Sequence, residues 1–127
     1  MAERQMRAVR GAITVERDDA ELVAAATREL LTALVERNSL ASEHVISAIF
    51  TVTPDITSDY PARAARELGW VEVPLLCALE IPIPEGVARC IRVLLHIETD
   101  LPRSALRHVY LRDARGLRPD LSDDAEG

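Results

Sequence analysis

The sequence contains no lysine among its 127 residues, and all 15 of its basic residues are arginines. The absence of lysine excludes Schiff-base catalysis, a lysine-anchored pyridoxal cofactor and a P-loop nucleotide site. Any anion site must therefore be built from guanidinium groups, which match the geometry of carboxylates. Aromatic residues make up only 3% of the chain, so it offers few platforms on which the bases of single-stranded nucleic acid can stack.

Other absences narrow the class of protein further. The two cysteines, Cys77 and Cys90, form neither a C-x-x-C motif nor a secreted disulfide pattern. His44, His96 and His108 lack metal-ligand spacing, so we expect no metal. No apolar run approaches the roughly 20 residues of a membrane span, and the net charge of −6 disfavours nucleic-acid phosphates. With no signal segment, we expect a cytoplasmic protein without nucleic-acid or membrane partners.

The length and composition indicate one globular domain over residues 1–127. A hydrophobic content of 48% is ordinary for a soluble domain, and with so few aromatics the core must consist of Leu, Val, Ile and Ala. The last segment, 120–127, reads DLSDDAEG and is polar and acidic, so we expect it to form a flexible tail.

Hydrophobic periodicity predicts the element order β-α-β-α-β-β-β. The predicted strands span residues 6–15, 45–53, 70–79, 87–99 and 108–111. The long helix is predicted from Asp18, which forms a D-x-x-E capping box with Glu21, to a stop at Asn38, and the short helix covers 61–68. We therefore expect an α/β (α+β) fold, with a mixed sheet of about five strands covered on one face by the helices. Self-association is the obvious cover for the other face.

Two charged residues lie where short apolar strands meet a loop rich in Pro and Gly. They are Glu80 and Arg92, and alternation places Arg92 on the same strand face as Cys90, Leu94 and His96. A charge on an inward strand face has to be paired or functional. From the residues alone, a structural ion pair and a functional pair are equally open.

Two further pairs of arginines stand three residues apart. Arg63 and Arg66 share one face of the predicted short helix, where they form either a solvated basic face or a guanidinium rim over an acidic ligand. Arg7 and Arg10 lie on a predicted strand, where a spacing of three places them on opposite faces. One of these two can therefore point to solvent while the other points inward.

Six segments of the chain together resemble one family. They are RGAITVERD (10–18), TPDITSDYPARAARELGW (53–70), CALE (77–80), CIRV (90–93), RHVYL (107–111) and LRPDL (117–121). The family is the monofunctional, trimeric chorismate mutase with a pseudo-α/β-barrel, which is distinct from the all-helical mutases. The resemblance runs from about residue 7 to residue 121, in the same order and at near-identical spacing.

The resemblance implies a function and a set of site residues. The family rearranges chorismate to prephenate on the route to phenylalanine and tyrosine, in clefts between the subunits of a homotrimer. By its motifs, Arg92, Glu80 and Arg10 are catalytic, with the two arginines as central cations. The substrate-binding residues that it implies are Tyr110, Cys77, Tyr60, Arg63, Arg66, Leu76, Leu117 and Arg118.

These residues have different implied roles. Tyr110 binds a carboxylate, Cys77 contacts the hydroxyl-bearing ring with Glu80, and Tyr60 lines an apolar wall where the family has an aromatic residue. Arg63 and Arg66 are rim cations. The segment with Leu117 and Arg118 folds over the site. One departure is Leu76, which stands where a small polar residue such as threonine is expected.

The chemistry of this rearrangement suits the inventory of the chain. A unimolecular pericyclic reaction needs no nucleophile, proton relay, metal or organic cofactor, so we expect none. As the C–O bond breaks, the ether oxygen becomes partly negative, and a fixed cation such as Arg92 then binds the transition state better than the ground state. The alternative is a non-catalytic trimeric module that binds an acidic metabolite or a pathway-enzyme partner.

Overall fold

A computed structural model describes residues 3–84 and 86–117 of the chain. Five strands and two α-helices follow one another in the predicted order, β-α-β-α-β-β-β. They are β1 (Gln5–Thr14), α1 (Ala20–Arg37), β2 (Val45–Val52), α2 (Pro61–Glu67), β3 (Leu75–Leu79), β4 (Cys90–Thr99) and β5 (Val109–Tyr110). Short 3-10 turns lie at Ser42–His44, Arg103–Ala105 and Arg112–Gly116. The predicted α+β class and mixed sheet are confirmed.

The strands form one sheet in the order β3-β2-β4-β1-β5, with β4 at its centre. β4 runs antiparallel to both of its neighbours, β1 and β2, whereas the outer pairs β2–β3 and β1–β5 are parallel. Each parallel pair needs a crossover, and α2 provides the one between β2 and β3. This topology gives the sheet one face covered by helices.

The covered face holds the main core. Alternate residues of the central strands point toward the helices, and they pack against an apolar stripe of α1 at helical spacing. The fully buried members of this core include Val9, Ile13, Val23, Leu30, Leu31, Leu34, Phe50, Ile91 and Leu95. Gly11 allows the close approach of α1, since a Cβ there would lie 2.8 Å from Cδ1 of Leu34 and 3.0 Å from that of Leu30.

The other face is largely open. Among residues 3–84 and 86–117, the turn at Arg112–Gly116 packs on one end of it, where Ala12, Cys90, Tyr110 and Ala114 form a small second cluster. Arg10 is exposed on this face, whereas Arg7 is half-buried on the opposite side, as the strand spacing predicts. A sheet with one uncovered face supports the expectation that a second copy covers it.

Several predicted boundaries move, each for a local reason. The N-cap of α1 is Asp19, whose Oδ1 accepts the N–H groups of Glu21 and Leu22, so the prediction of a capping box at Asp18 was wrong. The predicted third and fourth strands begin later, at Leu75 and Cys90. The expected acidic tail, 120–127, lies outside the described residues.

Asn38 joins the end of α1 to the chain that leads into β5. It is the C-cap of the helix, as expected, although the left-handed conformation falls on Ser39, with a φ of 54°. The buried Nδ2 donates to the carbonyl oxygens of Leu34 (2.9 Å) and Arg107 (3.0 Å), and Oδ1 accepts the N–H of Arg107 (2.8 Å). One buried amide therefore fixes the position at which the chain enters β5.

Replacing Asn38 is expected to be costly. Asn38→Ala removes three hydrogen bonds and leaves both backbone groups of Arg107 without these partners, so we expect the free energy of unfolding to fall by about 2–4 kcal/mol. Urea denaturation of the variant measures this loss. Ser42→Ala, at an exposed position, is the control and should stay within about 0.5 kcal/mol of the parent chain. An equally small change for Asn38→Ala would contradict the assignment.

Candidate active site

An ion pair near one end of three neighbouring strands, on the open face, anchors the candidate site. Nε of Arg92 lies 2.9 Å from Oε2 of Glu80, and Oγ1 of Thr51 donates to the same carboxylate oxygen at 2.6 Å. Thr51 stands directly opposite Arg92 in the β2–β4 ladder, and Glu80 follows the end of β3. Three neighbouring strands therefore meet at this one carboxylate.

The two partners of this pair differ in exposure. The Glu80 side chain is 13% exposed, whereas that of Arg92 is 46% exposed. The carboxylate is thus the fixed, nearly buried member, and the guanidinium is held in place while it still reaches a ligand. A charged hydrogen bond of this length is among the stronger polar contacts in proteins.

A groove of about 360 Å³ opens beside Arg92. Arg10, Tyr110 and Leu117 also line it, so that two guanidinium groups and a phenol share the cavity. Its remaining lining is mostly apolar and consists of Gly11, Ile49, Thr51, Val93 and Leu94. A groove that combines cations with apolar walls suits a small organic anion.

Tyr110 is seated by the small cluster on the open face. β5 runs parallel to β1 and pairs Tyr110 with Ala12, and the ring is 4% exposed. Cys90 belongs to the same cluster and is fully buried, as expected for a core residue. Burial raises the pKa of the Cys90 thiol to about 12, so this side chain packs and does not act as a thiolate.

A second cavity, of about 410 Å³, lies beside the edge strand β3. Tyr60, Arg63 and Cys77 line it, and Nε of Arg63 is 3.0 Å from Oδ1 of Asp59. Cys77 stands opposite Phe50 in the β2–β3 ladder and packs against the helix-side core. Within one chain, this edge pocket therefore lies on the other side of the sheet from the groove.

The remaining site residues predicted from the sequence belong to neither group. Leu76 is on the open face of β3 and is 60% exposed. Arg66 is exposed on α2 and lines neither the groove nor the edge pocket. Arg118 lies outside the described residues. The structure thus gathers the predicted residues into two separate groups and leaves Leu76 and Arg66 on the surface.

Sequence reasoning missed the groups that hold the loop before Tyr60. Asp18 accepts the backbone N–H groups of Thr57 and Ser58 and the hydroxyl of Thr57, at distances of 2.9–3.1 Å. Hydrogen bonds from Ser58 and then Thr57 lower the pKa of the Asp18 carboxyl. The sequence did contain a signal for this contact. Asp18 and Asp19 are adjacent, and because one aspartate is enough to cap α1, the other was available for a different contact.

A second missed anchor holds the start of β4. The Asp55 carboxylate accepts the N–H of Arg89 at 3.0 Å and the hydroxyl of Thr53 at 2.5 Å, and that hydroxyl accepts the N–H of Cys90. Arg89 has a φ of 48°, a left-handed conformation that this contact helps to hold. Because Arg92 follows three residues later, Asp55 fixes the entry of its strand.

Within residues 3–84 and 86–117, no group of three or more His, Cys, Asp and Glu side chains is placed to hold a metal ion. Neither α1 nor α2 is long and apolar enough to cross a membrane, and the same holds for every helix of these ranges.

Comparison with known proteins gives a consistent family. The sequence model described as "Chorismate mutase type I" matches residues 6–121. The chain is 53% identical over 117 residues to the chorismate mutase AroH of Thermus thermophilus, covering 91% of this chain and 96% of the relative. It is 43% identical over 118 residues to the chorismate mutase AroH of Bacillus subtilis, covering 92% and 93%.

A solved structure agrees with the sequence matches. A chorismate mutase from Clostridium thermocellum superposes with a TM-score of 0.86 at 42% sequence identity, covering 87% of this chain and 98% of that one. The similarity therefore extends over sequence and fold alike.

The two cysteines should react very differently in the folded protein. Iodoacetamide at pH 8 is expected to modify the half-buried Cys77 and to leave Cys90 intact, because only a thiolate reacts and the pKa of Cys90 is raised to about 12. Mass spectrometry of peptides locates the adduct. Cys77→Ser should take up no reagent until the chain is unfolded, and an adduct on Cys90 of the native protein would count against its buried placement.

Proposed function

This chain belongs to the type I chorismate mutase family, and on that premise we propose that its groove rearranges chorismate to prephenate by holding the substrate and stabilising developing charge. The observation that carries this proposal is the Arg92 guanidinium, which Glu80 and Thr51 fix in a groove that also holds Arg10 and Tyr110. The enzyme is an isomerase of aromatic amino-acid biosynthesis.

Each group in the groove has a task in this reaction. Chorismate is a dicarboxylate, and the guanidinium of Arg10 with the hydroxyl of Tyr110 supplies donors for a carboxylate. Arg92 uses Nε for Glu80, so its terminal Nη groups are assigned to the ether oxygen of the substrate. Glu80 receives both described bonds at Oε2, which leaves Oε1 as the acceptor for the ring hydroxyl.

Arg92 accelerates the reaction because negative charge on the ether oxygen is larger in the transition state than in the ground state. A donor that is already in place costs no reorganisation when the charge develops, and such a donor is typically worth about 10²–10³ in rate. Holding the flexible substrate in its reactive, chair-like shape contributes a further share. Neither effect requires a covalent intermediate.

We further propose that the working site is shared between subunits of a homotrimer. The groove and the edge pocket lie on opposite sides of the sheet in one chain, so a single small substrate does not touch both. A neighbouring subunit that brings its edge pocket to the open face would complete the cleft and cover exposed apolar residues such as Leu76 and Leu79. Tyr60 and Cys77 then line the wall opposite Arg92.

The outer residues complete the proposed cleft. Arg63 and Arg66 form its cationic rim, and Leu117 lines its C-terminal side, while substrate binding by Arg118 stays a prediction of the resemblance. Leu76 replaces a small polar residue of the family without removing a charge, so activity is retained. The two free cysteines suit a reducing compartment, and we assign the enzyme to the cytoplasm.

Arg92→Lys is the sharpest test of the proposed cation. Lysine keeps the charge but has a single ammonium group, which cannot hold Glu80 and the ether oxygen together, so we expect kcat to fall by about 10²–10³. The assay follows chorismate loss and prephenate formation, with and without a chelator. Arg28→Lys, in an exposed ion pair with Glu67, is the control and should keep full activity. Normal turnover by Arg92→Lys would refute the assignment.

Mixed subunits test the shared cleft. Arg92→Ala inactivates the groove, and the double variant Arg63→Ala/Arg66→Ala disables the edge pocket and rim. If neighbouring chains contribute the two parts, random co-assembly of both variants restores about a quarter of the clefts. The specific activity of the co-expressed, purified mixture measures this recovery. Each variant expressed alone is the control, and no recovery in mixed trimers would place the whole site within one chain.

A further inference from the structure

We propose that His108 is a positioning residue for Arg10, and that its neutral imidazole is required to hold Arg10 at the groove. Nδ1 of His108 accepts the backbone N–H of Arg10 at 3.0 Å. The inference rests on the proposed role of Arg10 in binding the substrate carboxylate. It adds a residue that contacts no substrate and acts through the strand that presents Arg10.

The need for this contact arises from the shortness of β5. The β1–β5 ladder consists of two pairs, Gly11 with Val109 and Ala12 with Tyr110. It therefore begins one residue after Arg10 and does not include it. The N–H of Arg10 falls just beyond the ladder, on the side away from β4. The imidazole of His108 takes the place of the carbonyl that a longer β5 would supply, and so extends the ladder by one bond.

This bond fixes the protonation state of the ring. A nitrogen that accepts a hydrogen bond carries no proton, so the neutral ring of His108 has its proton on Nε2. Protonation would place a second N–H on Nδ1, directly opposite the N–H of Arg10. The contact would then change from a hydrogen bond to a repulsion between two donors.

Several basic and titratable residues line the cavity beside His108. His108 shares this cavity of about 640 Å³ with Arg7 and Arg10 from β1, His96 from β4 and Arg103 from the turn after β4. The remaining lining is apolar, and within the described residues no carboxylate lines this cavity. Arg7 has its side chain on the opposite face of β1, so Arg10 and Arg103 are the lining arginines that a protonated His108 would share this side with.

Acidification is expected to loosen Arg10. Protonation of the ring would remove the acceptor, and unperturbed imidazoles take up a proton near about pH 6.5. Because Arg10 binds substrate, the loss should appear in KM more than in kcat. Because kcat/KM reports groups of the free enzyme, we expect the loss to appear as an acid limb in that parameter.

Two substitutions of His108 separate its acceptor from its proton. Oδ1 of asparagine lies two bonds beyond Cβ, as Nδ1 does, so His108→Asn keeps an acceptor that does not titrate. His108→Ala removes the acceptor, and we expect kcat/KM at pH 8 to fall about three- to ten-fold, mainly through KM. His108→Asn should recover most of this loss and should show no acid limb between about pH 7 and 5.

A matched histidine provides the control. His44 forms the same kind of bond, with its Nδ1 3.1 Å from the backbone N of Ala41, in a turn that belongs to neither the groove nor the edge pocket. His44→Asn should therefore retain the wild-type acid limb and the wild-type KM. Size-exclusion chromatography and circular dichroism establish that each variant is folded and assembled.

The outcomes distinguish this inference from the proposed function. A folded His108→Ala with wild-type KM at pH 8, or a His108→Asn that keeps the acid limb, would overturn the positioning role. Arg10→Ala tests the proposed function separately, because its full activity would remove Arg10 from the site whatever His108 does. Loss of activity in Arg10→Ala together with a flat pH profile in His108→Asn supports both.

Discussion

The candidate site depends on the Arg92 guanidinium, which the Glu80 carboxylate holds in place through Nε. Arg92 has to reach a ligand from the open face of a sheet, where a long side chain would otherwise move through many rotamers at an entropic cost. Glu80 removes that freedom, because it is the less exposed partner and is itself fixed by the hydroxyl of Thr51. The pair therefore contributes less to the stability of the chain than to the geometry of its groove.

The one-sided coverage of the sheet follows from the same arrangement. Both helices pack on the face with Phe50 and Leu95, so the groove residues project from a face with little cover of its own. This explains how a chain of 127 residues presents Arg10 and Arg92 from its strands without placing either guanidinium in the core. It also means that a second subunit can supply a wall without any rearrangement of the core.

Much of this was predictable from the sequence, and the reason is periodicity. Strand alternation placed Arg92 with Leu94 on one face and Arg7 opposite Arg10, and the structure confirms both. Periodicity does not report which strands become neighbours. Cys77 and Glu80 are also three residues apart, a spacing that puts them on opposite sides of the sheet. That β3 is an edge strand, so that its helix-side residues line a pocket of their own, could not be predicted from periodicity.

The contacts that sequence reasoning missed share a physical type. Asp18, Asp55 and His108 each bind backbone N–H groups of a distant segment, and such contacts leave no periodic trace. They also differ in their response to acid. The lowered pKa of Asp18 means that its hold on the loop before Tyr60 is present above the usual aspartate range and is lost only as the pH falls below it. The proposed role of His108 depends on an unprotonated ring nitrogen, and unperturbed imidazoles protonate at a higher pH than carboxylates. As the pH falls from neutral to acid, we therefore expect the contact between His108 and Arg10 to be lost before the contacts of Asp18.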